Sequence, residues 1–175
     1  EQTRYVYRTD PAHFLEEIYD AAGVLVFKAE FDDDGRLTGS TDALGNVVQQ
    51  EFDPGAFTGT ITDARGNVTT LWYDEHGNVT QEQSAPVLNP ITGQTVRYTK
   101  TYEYADPRHP DKETKVVEYD GTVVEHEYDA AGNTTKTTQT SQDGSQSIAS
   151  SFSYDANSNL TRLTSPSGVV SMFGY

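Results

Sequence analysis

Short runs in which apolar and polar residues alternate recur along the chain, each closed by a polar stretch that carries glycine. VLVFKAEF (Val24–Phe31), NVVQQEF (Asn46–Phe52) and NVTTLWY (Asn67–Tyr73) are rich in Val, Thr, Leu and aromatic residues. Their period is near two, and they read as strands of about six to eight residues. A helix over Pro11–Ile18 competes in one place, because Asp10 suits a cap and Pro11 a first helical position. The spacing of the surrounding turns outweighs it. The pattern predicts no helix of substance anywhere.

The turns themselves repeat. Asp10, Asp20, Asp32, Asp42, Asp53, Asp63 and Asp74 follow one another at intervals of 10, 12, 10, 11, 10 and 11 residues. Two such steps make a repeat of about 21 residues, which marks a repeat architecture. Asp at the first position and Gly at the fourth is the composition of a type I turn closed by a residue at positive φ. The expected pairs are Asp20 with Gly23, Asp32 with Gly35, Asp42 with Gly45, Asp63 with Gly66, Asp74 with Gly77 and, later, Asp129 with Gly132. His13 and Ser158 stand where glycine belongs; His tolerates left-handed φ, Ser less readily. FDPG at Phe52–Gly55 is one residue short, which predicts a different turn. From Phe31 onward the residue before each Asp alternates between aromatic (Phe31, Phe52, Tyr73) and threonine (Thr41, Thr62). In a meander successive turns fall on opposite edges, so aromatics should line one edge and threonines the other.

Residues 1–80 are therefore regular repeats, and residues 119–175 return to the pattern with YDAAGN (Tyr128–Asn133) and YDANSN (Tyr154–Asn159). Residues 81–118 break it. They read as an extended hairpin around Asn89–Gly93, followed by a proline-rich turn at Asp106–Asp111. A second irregular hairpin is expected around Asp143-Gly144. Such excursions are where a rigid scaffold places specialised function. The whole is one continuous repeat domain.

YDAAGN, TDALGNVVQQEFD, TDARGNVTTLWYDEHGNVTQ and HPDKETKVVEYDGT resemble the Rhs, or YD, repeat. The resemblance covers nearly the whole chain, with several copies of the motif in series. It implies an all-β fold in which antiparallel hairpins form a curved or spiralling sheet, a segment of a shell. Members of that family include polymorphic toxins, the encapsulating component of toxin complexes, wall-associated proteins and teneurins. In the toxins the shell encloses a C-terminal effector. The C-terminal core of such toxins, with its Arg-Tyr-Asp run and self-cleaving aspartate site, has no counterpart in this sequence. The chain opens EQTRYVYRTD, without a signal peptide, and closes on Phe173-Gly174-Tyr175; both ends read as cut from something longer.

Charge narrows the partners. The 175 residues hold 27 Asp and Glu against 12 Lys and Arg, a net charge of -15. That balance disfavours nucleic acid and anionic membranes, and no stretch approaches the roughly 20 apolar residues of a membrane-spanning helix. Zero cysteines exclude disulfides, thiolate metal sites and cysteine nucleophiles. With 11 Tyr, 7 Phe and 1 Trp the chain is too aromatic for disorder.

Candidate chemistry is sparse. Asn67, Asn78, Asn133 and Asn159 head Asn-x-Thr sequons, but each follows a turn glycine or Ser158, which the repeat explains without glycosylation. Asp32-Asp33-Asp34-Gly35 begins like a calcium loop, yet Leu37 and Ala43 occupy the positions that need Gly and Glu. His13, His76, His109 and His126 form no metal-binding motif, and no catalytic fingerprint is present. No cofactor, metal or enzymatic activity is expected. Trp72, Tyr73, Tyr98 and Tyr102 are a candidate carbohydrate platform, set against the simpler reading of Trp72 as packing. The expectation is a wall segment of a large secreted or cell-surface protein that encapsulates or presents an effector. Its partners would be the remaining repeats of the parent chain and that effector, and an acidic wall suits a basic one. The alternative is a surface adhesin or carbohydrate-binding module with surface glycans as ligands.

Overall fold

The computed structural model describes residues 2–10 and 12–175, with the backbone alone for Ala12. The strands are β1 (Arg4–Thr9), β2 (Ala12–Tyr19), β3 (Leu25–Phe31), β4 (Leu37–Asp42), β5 (Val47–Asp53), β6 (Thr58–Thr62), β7 (Val68–Tyr73), β8 (Val79–Gln83) and β9 (Val87–Leu88). There follow β10 (Thr95–Val96), β11 (Thr99–Glu103), β12 (Lys115–Val117), β13 (Val123–Tyr128), β14 (Thr134–Thr140), β15 (Ser147–Tyr154), β16 (Leu160–Thr164) and β17 (Val170–Met172). No helix occurs among the described residues, and the fold is all-β as the alternation predicts. Where a helix competed in the sequence, Ala12–Tyr19 is a strand; Pro11, its proposed first residue, lies outside the described residues.

The chain falls into two compact units, residues 1–72 with 84–97, and residues 73–83 with 98–175. In the first, β1 to β7 neighbour one another in chain order, each antiparallel to the last, and β9 and β10 form a separate two-stranded ribbon. In the second, β11 pairs with β8, and β11 to β17 continue in chain order, again antiparallel. Residues 81–83 and 99–103 thus belong to regular strands, and the departures from the repeat are the ribbon of residues 84–97 and the proline-rich loop of residues 104–114.

Register assigns the faces. Directly opposed residues share a face, so in the first unit Ile18, Phe27, Ala29, Val48 and Ile61 lie together, and Lys28, Gln49, Thr62, Glu51 and Thr60 lie on the other side. In the second unit Tyr102, Val116, Val124 and Ile148 form one face, and Glu103, Lys115, Glu125 and Thr138 the other. Cross-strand ion pairs Lys115–Glu103 (2.8 Å) and Lys136–Glu127 (2.9 Å) decorate that polar face.

This alternation does not create a sandwich core. Among the described residues only Ala29 (3% exposed) and Val116 (4%) are buried hydrophobics, and no side chain is fully buried. The accessible surface is 11553 Å², where a compact monomer of this mass would show about 8,500 Å². Stability must therefore rest on strand pairing, on side-chain pairs across strands and on the turns.

Candidate functional site

The turns are closed by a fixed set of bonds. At Asp42 the Gly45 N–H donates to the Asp42 carbonyl (3.0 Å), and the Asp42 N–H donates to the Asn46 carbonyl (3.1 Å). The carboxylate does the rest: Oδ1 accepts from the N–H groups of Leu44 (2.8 Å) and Asn46 (2.9 Å), and Oδ2 accepts from Asn46 Nδ2 (2.7 Å). Gly45 sits at φ 80°, where a Cβ is strained. The same pattern holds at Asp63, Asp74, Asp129 and Asp155. Gly66, Gly77 and Gly132 close the first three of these, at φ 81°, 88° and 84°. The turn of Asp20 and Gly23 (φ 81°) and that of Asp32 and Gly35 (φ 79°) share its backbone part, with Val24 and Arg36 in place of the asparagine. The Asn side-chain bond, then the Asn N–H, hold the carboxyls of Asp42, Asp63, Asp129 and Asp155 below their ordinary range. The sequon nitrogens are thus structural donors: Nδ2 of Asn67, Asn78, Asn133 and Asn159 each serves its own turn aspartate.

The six glycines named from the sequence share a conformation but not a setting. Gly23 and Gly77 are exposed, and an added Cβ would meet nothing within 4 Å at either. Gly132 departs from that picture of an open turn tip. It is buried, and a Cβ there would lie 3.0 Å from Lys112 Cε and 3.2 Å from His109 Cε1. The proline-rich loop covers that turn, which the repeat spacing did not foretell.

Several turns depart from the glycine rule. His13 takes φ 80° and Ser158 takes φ 64° in the glycine position. The Ser158 hydroxyl accepts from Asn133 Nδ2 (3.2 Å), a bond glycine could not make. The FDPG turn is indeed different: Asp53 Oδ1 accepts from Gly55 and Ala56, and the positive φ (51°) falls on Phe57. Three turns escaped the aspartate rule. Gly121 donates to the Glu118 carbonyl, Gly144 to Ser141 and Gly168 to Ser165, so Glu or Ser opens them. Glycine three residues after a polar residue was the signal that could have found them.

Side chains also link one turn to the next along the edge where aromatics precede the turns. In the first unit Arg8 Nη1 donates to the carbonyls of Phe31 (3.2 Å) and Asp32 (3.3 Å), and the Phe14 and Phe31 rings meet at 5.0 Å. In the second, Asn78 Nδ2 donates to the Pro110 carbonyl (2.9 Å). Arg108, held by Asp106, donates to the Tyr128 carbonyl (3.2 Å), and His109 Nε2 donates to the Asp129 carbonyl (2.9 Å). The Tyr104 hydroxyl donates to Val79 (3.0 Å) and the Tyr128 hydroxyl to Glu113 (2.7 Å), both carbonyls.

The four platform candidates lie on β7, on β11 and just before β11. Trp72, half-buried, lies opposite Thr58 on the polar face of the first unit. Tyr73 follows it on the same strand and so points to the other face. Tyr98, 41% exposed, precedes β11. The Tyr102 hydroxyl donates to Glu82 (3.2 Å); burial and then that carboxylate push it up to about 12. Trp72 and Tyr73 therefore cannot share one stacking surface. Asp34 pairs with Arg36 (2.6 Å), and no group of three or more metal-ligating side chains occurs among the described residues.

No protein-family profile and no curated protein matches the chain. Solved structures do. A TcdB2-TccC3 crystal structure without its hypervariable C-terminal region superposes with a TM-score of 0.55 at 15% identity, covering 98% of this chain and 10% of that one. A TcdB2-TccC3-Cdc42 crystal structure gives 0.52 at 16%, covering 99% and 12%. A Photorhabdus luminescens Tc holotoxin pore carrying a TccC3 mutation gives 0.52 at 16%, also covering 99% and 12%. The chain thus spans about a tenth of the length of each, and what it shares with these toxin chains, over almost all its own length, is their fold.

Proposed function

We propose that this chain is a wall segment of a large Rhs/YD-repeat protein, a stretch of β-sheet that encloses or presents an effector domain of its parent. The observation that carries the reading is a coreless sheet of about 21-residue repeats whose fold matches Tc toxin chains over 98–99% of its length. A coreless sheet suits a boundary between two spaces better than a compact catalytic domain. Its role is mechanical, with the parent acting outside the cell or at its surface. Further repeats of the parent would continue the sheet. β17 is last in the strand order and pairs only with β16, and such an uncovered edge presents unpaired N–H and C=O groups that suit an added strand.

The test is limited proteolysis of the complete parent chain. Containment predicts that the segment downstream of the repeats resists protease while the repeats are folded, and becomes sensitive when denaturant opens them. A downstream segment digested as fast as its isolated form would reject the proposal.

A further inference from the structure

On the aromatic face of the second unit a cation is already caged. Lys100 stands directly opposite Glu82 across the β8–β11 pair. Its Nζ lies 3.0 Å from Glu118 Oε2 and 5.2 Å from the centroid of the Tyr102 ring. Tyr102 donates to Glu82, and Tyr119 is pushed up to about 12 by burial and then by its hydrogen bond to the same carboxylate. The Lys100 side chain is only 23% exposed. A carboxylate at salt-bridge distance with a tyrosine ring beside it is an environment an ammonium group prefers.

Beside this cage lies an open cleft of about 350 Å³ lined by Glu118, Tyr119, Asp120, Thr122 and Gln139. Thr122 and Gln139 also line the next cleft, about 210 Å³, with Ser141, Gln146 and Ile148. The two clefts adjoin at Thr122 and Gln139, with Tyr119 lining the first and Ile148 the second, and are treated as one groove. At the Tyr119 end its lining holds two carboxylates and no basic residue. Tyr119 is 39% exposed and Ile148 53%. Farther along, amides and hydroxyls match the backbone of an extended chain, and Ile148 offers apolar surface to a lysine stem.

We propose that this groove binds a basic polypeptide segment, seating a lysine side chain among Glu118, Tyr119 and Asp120 beside the Lys100 cage. The ligand repeats the chemistry Lys100 already satisfies, and the net charge of -15 draws it in. A polypeptide fits better than a small amine because the groove continues past the carboxylates to Gln146 and Ile148. Nothing in this depends on the chain being a shell wall.

The experiment is calorimetric titration of the whole chain with hexalysine at low salt, alongside lysine-acetylated hexalysine and spermine. Glu118→Gln with Asp120→Asn should weaken hexalysine about tenfold, and Tyr119→Ala severalfold. Glu103→Gln with Glu127→Gln removes the same charge from the opposite face and should change binding less than about twofold. Lys100→Gln, which empties the cage, should tighten binding about threefold. Equal loss in the two charge-matched pairs would mean diffuse attraction and overturn the site. So would absence of binding, or acetylated peptide binding as well as hexalysine. Spermine binding as tightly as hexalysine would overturn the polypeptide assignment. Circular dichroism checks that each variant folds. Amide shifts of the unaltered chain on adding hexalysine, expected at Thr122, Gln139 and Gln146, locate the site without any variant; shifts confined elsewhere would overturn it.

Discussion

The two edges of the second unit are made from the same hairpin and held in different ways. On one edge the turns after Tyr73, Tyr104 and Tyr128 are joined by side chains that cross from turn to turn: Asn78 to Pro110, Arg108 to Tyr128, His109 to Asp129 and Asn133 to Ser158. Tyrosine hydroxyls add bonds to carbonyls of neighbouring segments. On the other edge the turns at Glu118–Gly121 and Ser141–Gly144 flank an open groove. Side-chain hydrogen bonds tie one edge together; on the other the Gln142 side chain packs over Gly121 between the two turns, and the groove beside them stays open. A coreless sheet needs this division, because bonds between turns replace some of the cohesion that a packed interior supplies elsewhere.

The largest effect should separate these edges directly. Tyr128 packs against His109 and Lys112 and donates to Glu113, so Tyr128→Ala should cost about 3 kcal/mol. Tyr128→Phe, which loses only the hydroxyl bond, should cost about 1 kcal/mol. Thr140, before the Ser141 turn, shares a hydroxyl contact with Ser147 (3.1 Å), and Thr140→Ala should cost about 0.5 kcal/mol or less. Urea unfolding of the three variants checks the order. Equal costs for Tyr128→Ala and Thr140→Ala would erase the distinction between the edges.

Glycine substitutions extend the comparison to the first unit. Gly35 and Gly66 both sit near φ 80°, one in the turn after Phe31 and the other in the turn after Thr62. A Cβ at Gly35 would lie 2.9 Å from Phe14 Cζ, whereas at Gly66 it meets nothing within 4 Å. Backbone strain alone should cost about 1 kcal/mol in Gly66→Ala, and Gly35→Ala should cost about 2 kcal/mol because Phe14 must also move. Thermal unfolding distinguishes them. Matching shifts would show that the aromatic packing at this turn yields freely.

These contrasts also show what the sequence could reveal. The Asp-x-x-Gly turns were legible because their chemistry is local: one carboxylate and one positive φ within five residues. The strands between them followed from alternation, and the aromatic and threonine edges from counting turns. The links between turns were not legible. Asn78 reaches a carbonyl 32 residues away and Arg108 one 20 residues away, and such bonds depend on strand lengths and on the proline-rich loop. The same loop buries Gly132, while Gly23 and Gly77, identical to it in the sequence pattern, stay open. Ser141, Ser165 and Glu118 were missed because the glycine N–H bonds to the backbone carbonyl of the first residue, which any residue type supplies. Of the platform candidates Trp72, Tyr73, Tyr98 and Tyr102, the first two are adjacent on one strand, which sets their side chains on opposite faces.

A smaller difference is expected between asparagines that play one role and those that play two. Asn46 Nδ2 donates to Asp42, whereas Asn78 Nδ2 serves both Asp74 and the Pro110 carbonyl. Asn46→Ala should cost about 0.5 kcal/mol and Asn78→Ala about 1 kcal/mol. Native-state amide exchange gives a second reading: Asn78→Ala should speed exchange in the Asp106–Lys112 loop as well as in its own turn. Faster exchange confined to residues 74–78 would mean the bridge to Pro110 contributes nothing.

The smallest effect is on acid sensitivity, and it probes the edges by protonation instead of mutation. Hydrogen bonds from Arg108 lower the carboxyl of Asp106 to about 2; hydrogen bonds from Ser141 and then Ser145 lower that of Asp143 to about 2. Both folded values lie below the ordinary 3.8. Each group therefore contributes stability that is complete above 3.8, declines as pH falls below it and is gone once pH has passed about 2. The consequences differ because Arg108 Nη2 holds both Asp106 Oδ2 (2.7 Å) and the Tyr128 carbonyl. Protonating Asp106 should loosen Arg108 and expose the Tyr128–Asn133 turn to faster amide exchange. Asp143 bonds only within its own turn, to Ser141 and Ser145, so its protonation should act there alone. Exchange measured from pH 4 down to 2, on the unaltered chain and on Asp106→Asn, reads this directly. The unaltered chain should lose protection at residues 128–133 as pH falls, through Asp106 and through the turn's own Asp129, whereas Asp106→Asn should begin less protected at pH 4 and lose only the part that Asp129 contributes. If the 128–133 turn responds to acid identically in both proteins, Asp106 is not what holds Arg108 against the neighbouring turn, and the link along this edge must come from His109 and Tyr128 instead.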